Sequence, residues 1–131
     1  MNRGSRLLRR MAALAAATLL LAACGEIPGR PPAEPTAAEK ALAAGLRAYD
    51  EGQYPLAERQ LQQALQLGLT GAKDRANAHK HLAFVYCTSN RTVECETQFR
   101  AARRADTGFA LSRSEIGHPL WGPVYQRVAQ P

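Results

Sequence analysis

Three cysteines and three histidines are the side chains best suited to covalent, metal or acid–base chemistry in this 131-residue chain. Cys24 stands alone near the start, Cys87 and Cys95 lie eight residues apart, and His79, His81 and His118 fall in the second half. A catalytic thiol needs a positioned base, and His79 lies about two helical turns from Cys87. A dithiol redox site would want Cys-x-x-Cys, which is absent. His79 and His81, at i and i+2 on a helix, point apart and suit a shared metal poorly. There is no Gly-rich phosphate loop, no recognisable carboxylate pair and no nucleophile beside a base. The expectation is a chain that is not an enzyme, with no cofactor, no metal and no small-molecule substrate.

The elements that carry these residues begin with an address. Arg3, Arg6, Arg9 and Arg10 precede the run Met11–Ala23, thirteen residues of Met, Ala, Leu and Thr. As a helix this run spans roughly 20 Å, too short for a bilayer core and suited to a signal-peptide apolar region. It closes on Leu21-Ala22-Ala23-Cys24, which resembles the bacterial lipobox. The resemblance implies cleavage before Cys24 and lipidation of its thiol, with three acyl chains (palmitate among them) giving firm attachment. An ordinary secretory signal or a short anchor is the alternative. Gly25 follows the cysteine where an Asp would resemble an inner-membrane retention signal. The implied location is therefore the outer membrane, facing the periplasm. Residues 1–23 are read as signal peptide and 24–36 as lipidated cysteine plus tether. Pro28, Pro31, Pro32 and Pro35 make that tether a semi-rigid spacer of at most roughly 37 Å.

Removing the signal changes the charge argument. The chain has 17 Lys and Arg against 11 Asp and Glu, but four Arg lie before residue 24, which leaves 13 against 11. A net charge of +2 gives no case for nucleic acid. The cluster Arg100, Arg103, Arg104 reads as a solvated helix end favoured by the macrodipole.

Residues 37–131 form one small all-α domain. Leu42, Gly45, Leu46 and Tyr49 share a helical face, Glu51-Gly52-Gln53 breaks the run, and Ala57, Leu61, Ala64 and Leu65 share the next face. A second pair follows, with Ala78, Leu82, Val85 and Tyr86 on one face and Cys95, Phe99 and Ala102 on the other, across a turn at Thr88 to Arg91. Shifting the first pair by 38 residues brings Gly45 onto Ala83, Ala57 onto Cys95, Leu61 onto Phe99 and Ala64 onto Ala102. Small residues at those spacings resemble the tetratricopeptide repeat, in which they let two antiparallel helices cross closely. The usual period is 34, and the surplus of four is assigned to the loop Gly68 to Asp74. Leu82-Ala83 and Tyr86 fit the pattern well; Ala41 stands where an aromatic is usual, and neither repeat ends in Pro. A plain four-helix bundle is the alternative. Ser112-Arg-Ser-Glu115 reads as a capping box, and Trp121, Val124, Tyr125 and Val128 as the buried face of a capping helix, with Trp121 covering the end of the second hairpin.

In an oxidising compartment Cys87 and Cys95 would face each other across the second hairpin, and a disulfide is the natural reading. A free buried pair, a catalytic thiol or a metal site are the other options.

One further resemblance covers residues 77–128. The stretch His79-Lys-His-Leu-Ala-Phe-Val-Tyr-Cys87, then Cys95 and Phe99, then Glu115-Ile-Gly-His-Pro-Leu-Trp-Gly-Pro-Val-Tyr125, is similar to small repeat-containing lipoproteins associated with type VI secretion gene clusters, the TssQ-like lipoproteins. The resemblance implies a membrane-tethered accessory with protein partners among the secretion-machine subunits and carries over no catalytic residue. A pilotin-like or outer-membrane assembly factor is the second reading; a periplasmic enzyme or ligand-binding protein is the third. The partner-facing surface is expected on the first helix of each pair, drawing on residues such as Arg47, Asp50, His79 and Lys80.

Overall fold

The computed structural model describes residues 33–130. The expected signal peptide, Cys24 and nearly all of the tether lie outside the described residues. Six helices follow, all the regular structure among the described residues: α1 (Ala37–Asp50), α2 (Tyr54–Leu67), α3 (Ala72–Thr88), α4 (Thr92–Ala105), α5 (Arg113–Ile116) and α6 (Gly122–Ala129). None is long and apolar enough to cross a membrane.

Helix α1 starts at a capping box. The Thr36 hydroxyl accepts the Glu39 N–H at 3.2 Å, and the Glu39 carboxylate accepts the Thr36 N–H at 2.7 Å. Its buried face is Ala38, Ala41, Leu42, Gly45 and Ala48. A short turn returns the chain as α2, whose Pro55 lies in the first turn, where a missing N–H breaks no helical bond. Ala57, Leu61 and Ala64 form the buried face of α2. The two helices meet where Gly45 backs onto Leu61. A Cβ on Gly45 would stand 2.7 Å from Leu61 Cγ and 3.1 Å from its backbone nitrogen.

The second pair repeats this arrangement around α3. Leu82 to Cys87 are six consecutive buried residues, because α3 is packed against α1, α2 and α4. On α4 the buried residues are Cys95, Phe99 and Ala102. Thus Gly45, Ala57, Leu61, Ala64, Leu82, Ala83, Tyr86, Phe99 and Ala102 are all buried. One boundary differs from expectation. Ala72, Lys73 and Asp74 belong to α3, not to the loop, so α3 has 17 residues against 14 in α1. Arg75 explains the early start: its Nη1 donates to the Leu69 and Thr70 carbonyls at 3.0 and 2.6 Å, which pins a short loop around the buried Leu69. Asp74 in the first turn also suits the positive end of the helix.

Cys87 and Cys95 stand at disulfide distance, with Cα atoms 5.3 Å apart across the α3–α4 turn. Beside them Arg91 bridges three elements. Its Nη1 donates to both Glu58 oxygens at 3.0 and 3.1 Å, its Nε to Glu94 at 3.1 Å, and its guanidinium lies 4.2 Å from the centre of the Tyr86 ring.

The C-terminal segment closes the second pair. Ser112 and Glu115 form the expected capping box on α5. Pro123 falls in the first turn of α6, where it is tolerated. Gly122 is sterically required, since a Cβ there would lie inside the van der Waals shell of the Ile116 carbonyl oxygen. Tyr125 packs edge-on to Phe99 at 5.3 Å, and its hydroxyl accepts the Leu111 N–H.

Two stability measurements follow from this packing. Gly45→Ala forces the fully buried Leu61 off its position, and the cost expected in denaturant unfolding is about 1–3 kcal/mol. The second hairpin is stapled by a loop of nine residues, so reduction should lower stability by about 2.5 kcal/mol on the chain-entropy estimate. A thiol titration of the unreduced, unfolded chain should find neither Cys87 nor Cys95 reactive; two reactive thiols from this pair would remove the staple.

Candidate functional site

The side chains of greatest interest lie along α1 and α3 and continue into the C-terminal segment. Tyr49, in the last turn of α1, stands 5.6 Å from the Tyr54 ring, 5.0 Å from His81 and 6.2 Å from Phe84. His81 is 5.7 Å from Phe84, which stacks on Trp121 at 4.2 Å, and Trp121 stacks in turn on His118 at 3.3 Å. A row of six rings therefore connects the α1–α2 turn to the segment before α6. Phe84 and Trp121 are buried, Tyr49, His81 and His118 are half-buried, and Tyr54 is exposed.

The row is fixed by polar contacts at its edge. Lys80 Nζ donates to Glu115 at 2.7 Å, and the same carboxylate accepts the Ser112 N–H at 2.8 Å through its other oxygen. The Glu115 carbonyl accepts the Trp121 indole N–H at 2.8 Å. Glu115 therefore ties α3 to α5 and orients Trp121. Burial alone would raise its carboxyl, but the bonds from Lys80 and Ser112 outweigh it and hold the pKa below the usual 4.5.

The two α3 histidines diverge, as their spacing requires. His79 Nδ1 lies 2.7 Å from Gln98 Oε1 on α4, so this ring serves the α3–α4 contact. His81 Nδ1 lies 2.9 Å from the Asn77 carbonyl, which leaves its Nε2 beside Tyr49 as the acceptor. Burial pushes both imidazoles below their ordinary 6.5. The Tyr49 hydroxyl is pushed up to about 12, first by burial and then by the neighbouring Tyr54, Asp50 and Glu115, so it remains a donor. Of the four residues expected on the partner-facing surface, Arg47 and Asp50 are exposed, Lys80 is engaged with Glu115, and His79 turns to α4. His81, not His79, packs against Tyr49 of α1.

Compared with protein families, curated proteins and solved structures, the chain matches none of them.

The row offers ring faces, the phenols of Tyr49 and Tyr54, the imidazoles of His81 and His118, and the Lys80–Glu115 ion pair at its edge. Among the described residues no three His, Cys, Asp or Glu side chains converge on one point. Trp121 is buried against Phe84 as a cap should be, yet its stacking on His118 also makes it part of the row. Phe84 and Glu115 were not singled out from the sequence. Glu115 was visible only as the end of a capping box; its pairing with Lys80, 35 residues away, is a tertiary event.

The buried histidines give a pH dependence with a definite sign. The unfolded chain takes up protons near 6.5, whereas the folded chain takes them up at lower pH, so acid favours unfolding. The contribution is fully present above 6.5 and is lost as pH falls through the lower folded values. The thermal midpoint should therefore fall between about pH 7 and about pH 5. His81→Gln, which keeps a donor for Asn77, should flatten part of that slope; an unchanged slope in both His81→Gln and His79→Gln would remove this account.

Proposed function

We propose that this chain is an outer-membrane-anchored, periplasm-facing lipoprotein whose tetratricopeptide-type hairpins act as a protein-binding accessory of a type VI secretion system. The observation that carries the binding role is the row of rings from Tyr54 to His118, continuous across three parts of the fold and partly open to solvent. Aromatic side chains with polar tips are the groups most enriched where proteins bind one another. The small residues that let α1 cross α2 fall at the positions that resemble the tetratricopeptide repeat, and stacked repeats present the first helix of each pair to partners. The envelope location rests on the lipobox-like Leu21-Ala22-Ala23-Cys24, and the secretion role on the similarity of residues 77–128 to the TssQ-like lipoproteins.

Affinity capture of the tagged native protein from solubilised envelope, with Cys24→Ser and Tyr54→Ala as controls, tests each part. The expected result is enrichment of secretion membrane-complex or baseplate-associated subunits, lost in Tyr54→Ala and reduced in Cys24→Ser. Enrichment of pilus or outer-membrane assembly subunits would move the protein to another envelope machine. Absence of any enriched partner after crosslinking would overturn the adaptor role.

A further inference from the structure

A second surface, remote in character from the row of rings, lies at the C-terminal end of α4. Arg100, Arg103 and Arg104 fall at i, i+3 and i+4 and share one face of that helix. With Thr107 from the following loop and Val128 from α6 they line an open cleft of about 400 Å³.

The charges in this cleft do not balance internally. Arg100 is paired with Glu96 at 2.6 Å. Arg103 donates through Nη1 to the Val128 carbonyl, which fixes the side chain against α6, and among the described residues it has no carboxylate within ion-pair distance. Arg104 has no carboxylate within ion-pair distance among the described residues. Asp106 is the nearest acid in sequence, but its carboxylate accepts the Gly108 N–H and it lines a separate cleft with Phe109 and Ala110. Among the described residues, three guanidinium groups against one carboxylate leave two positive charges. The carbonyl end of α4 offsets roughly half a charge, the ordinary reason for arginines at a helix end, and the remainder is still clearly positive.

We propose that this cleft binds a dianionic phosphoryl group. A guanidinium presents a planar fork of donors that fits a phosphate edge with two parallel bonds. A phosphate monoester carries about −1.5 to −2 at neutral pH, close to the two unpaired charges, whereas a carboxylate supplies only one. Arg103 is already held in place, so less side-chain freedom is lost on binding than for a free surface arginine. The cleft is larger than a phosphoryl group alone, and the space beside Thr107 and Val128 takes the organic part of the ligand. A phosphorylated solute and a monoester lipid headgroup such as phosphatidic acid present the same group, and the cleft recognises that shared chemistry.

The test is calorimetric titration of the full chain in a non-ionic detergent, at ionic strength of about 0.1 M. The probes are inorganic phosphate, soluble dihexanoyl phosphatidic acid and, as the monoanion control, acetate. Saturable binding is expected with one or both phosphoryl probes and not with acetate. Saturation by phosphatidic acid alone assigns the site to a lipid headgroup; saturation by phosphate as well assigns it to the phosphoryl group from either source. Arg104→Gln, which removes no bond within the fold, should weaken binding about tenfold, the size of one charge-assisted contact. Glu96→Gln frees Arg100 and should strengthen it. Arg113→Gln, on α5, should leave it unchanged. No saturable heat from either phosphoryl probe, acetate binding as tightly as phosphate, or an equal loss in Arg113→Gln would each overturn the proposal. Because neither the anchor nor any protein partner enters this titration, its outcome is separate from that of the capture experiment.

Discussion

A helix can bury six consecutive residues only if neighbours enclose it on every side, and that condition organises this domain. Leu82 to Cys87 sweep through more than a full turn of α3, so no single apolar stripe could serve them. Helices α1 and α2 cover one side and α4 another. The gap left over Phe84 is filled by Trp121, which arrives from the segment between α5 and α6. Without that segment a large part of the Phe84 ring would face water. The C-terminal residues are therefore part of the core, and the short helices α5 and α6 are held by the core more than by their own propensity, which is marginal at four and eight residues.

The two hairpins solve the same packing problem with different chemistry. In the first, close approach is obtained by removing a side chain: Gly45 leaves room for Leu61. In the second, Ala83 and Phe99 occupy the corresponding positions, and the larger aromatic reaches on to Phe84 and Tyr125. At the position of Ala57 the second hairpin carries Cys95, so the covalent link to Cys87 sits at a fully buried position. The link costs no extra volume there, because a buried cysteine behaves as a small apolar side chain. Arg91, on the solvent side of the same turn, adds ion pairs that are partly exposed and so contribute less than their number suggests.

What was legible in the sequence follows from the range of the interactions involved. Helical faces, the break at Glu51 to Gln53, the capping box at Ser112 and the burial of Trp121 depend on neighbours a few residues away or on a simple apolar period, and all four appear as expected. The capping box at Thr36 and Glu39 is of the same short range, written in the sequence as Thr-Ala-Ala-Glu. The extra turn of α3 was not legible, since it depends on Arg75 reaching back to two loop carbonyls. The divergence of His79 and His81 has a similar cause. Periodicity places both on α3 but does not say which flank meets α4, and Gln98 decides that. The aromatic row required Tyr49, His81, Phe84 and Trp121 to be brought together from three separate elements, and only the packed fold does this.

The features that folding alone does not account for lie in two places. Tyr54, 37% exposed, leaves part of its ring open at the end of the row, and Arg103 and Arg104 keep like charges side by side at the end of α4. Neither is demanded by packing: the open part of the ring forgoes burial, and adjacent guanidinium groups repel. A body of fewer than one hundred residues has little stability in reserve. Such surfaces are sustainable here because stability is supplied elsewhere, by two capping boxes, the Cys87–Cys95 staple and the buried run Leu82–Cys87 of α3. The staple and the Arg91 network stiffen the turn that joins α3 to α4, while His81 lies along α3 and the arginine cleft lies at the far end of α4. The α3–α4 pair therefore carries both features, the aromatic row along α3 and the arginine cleft at the end of α4, on one covalently joined scaffold.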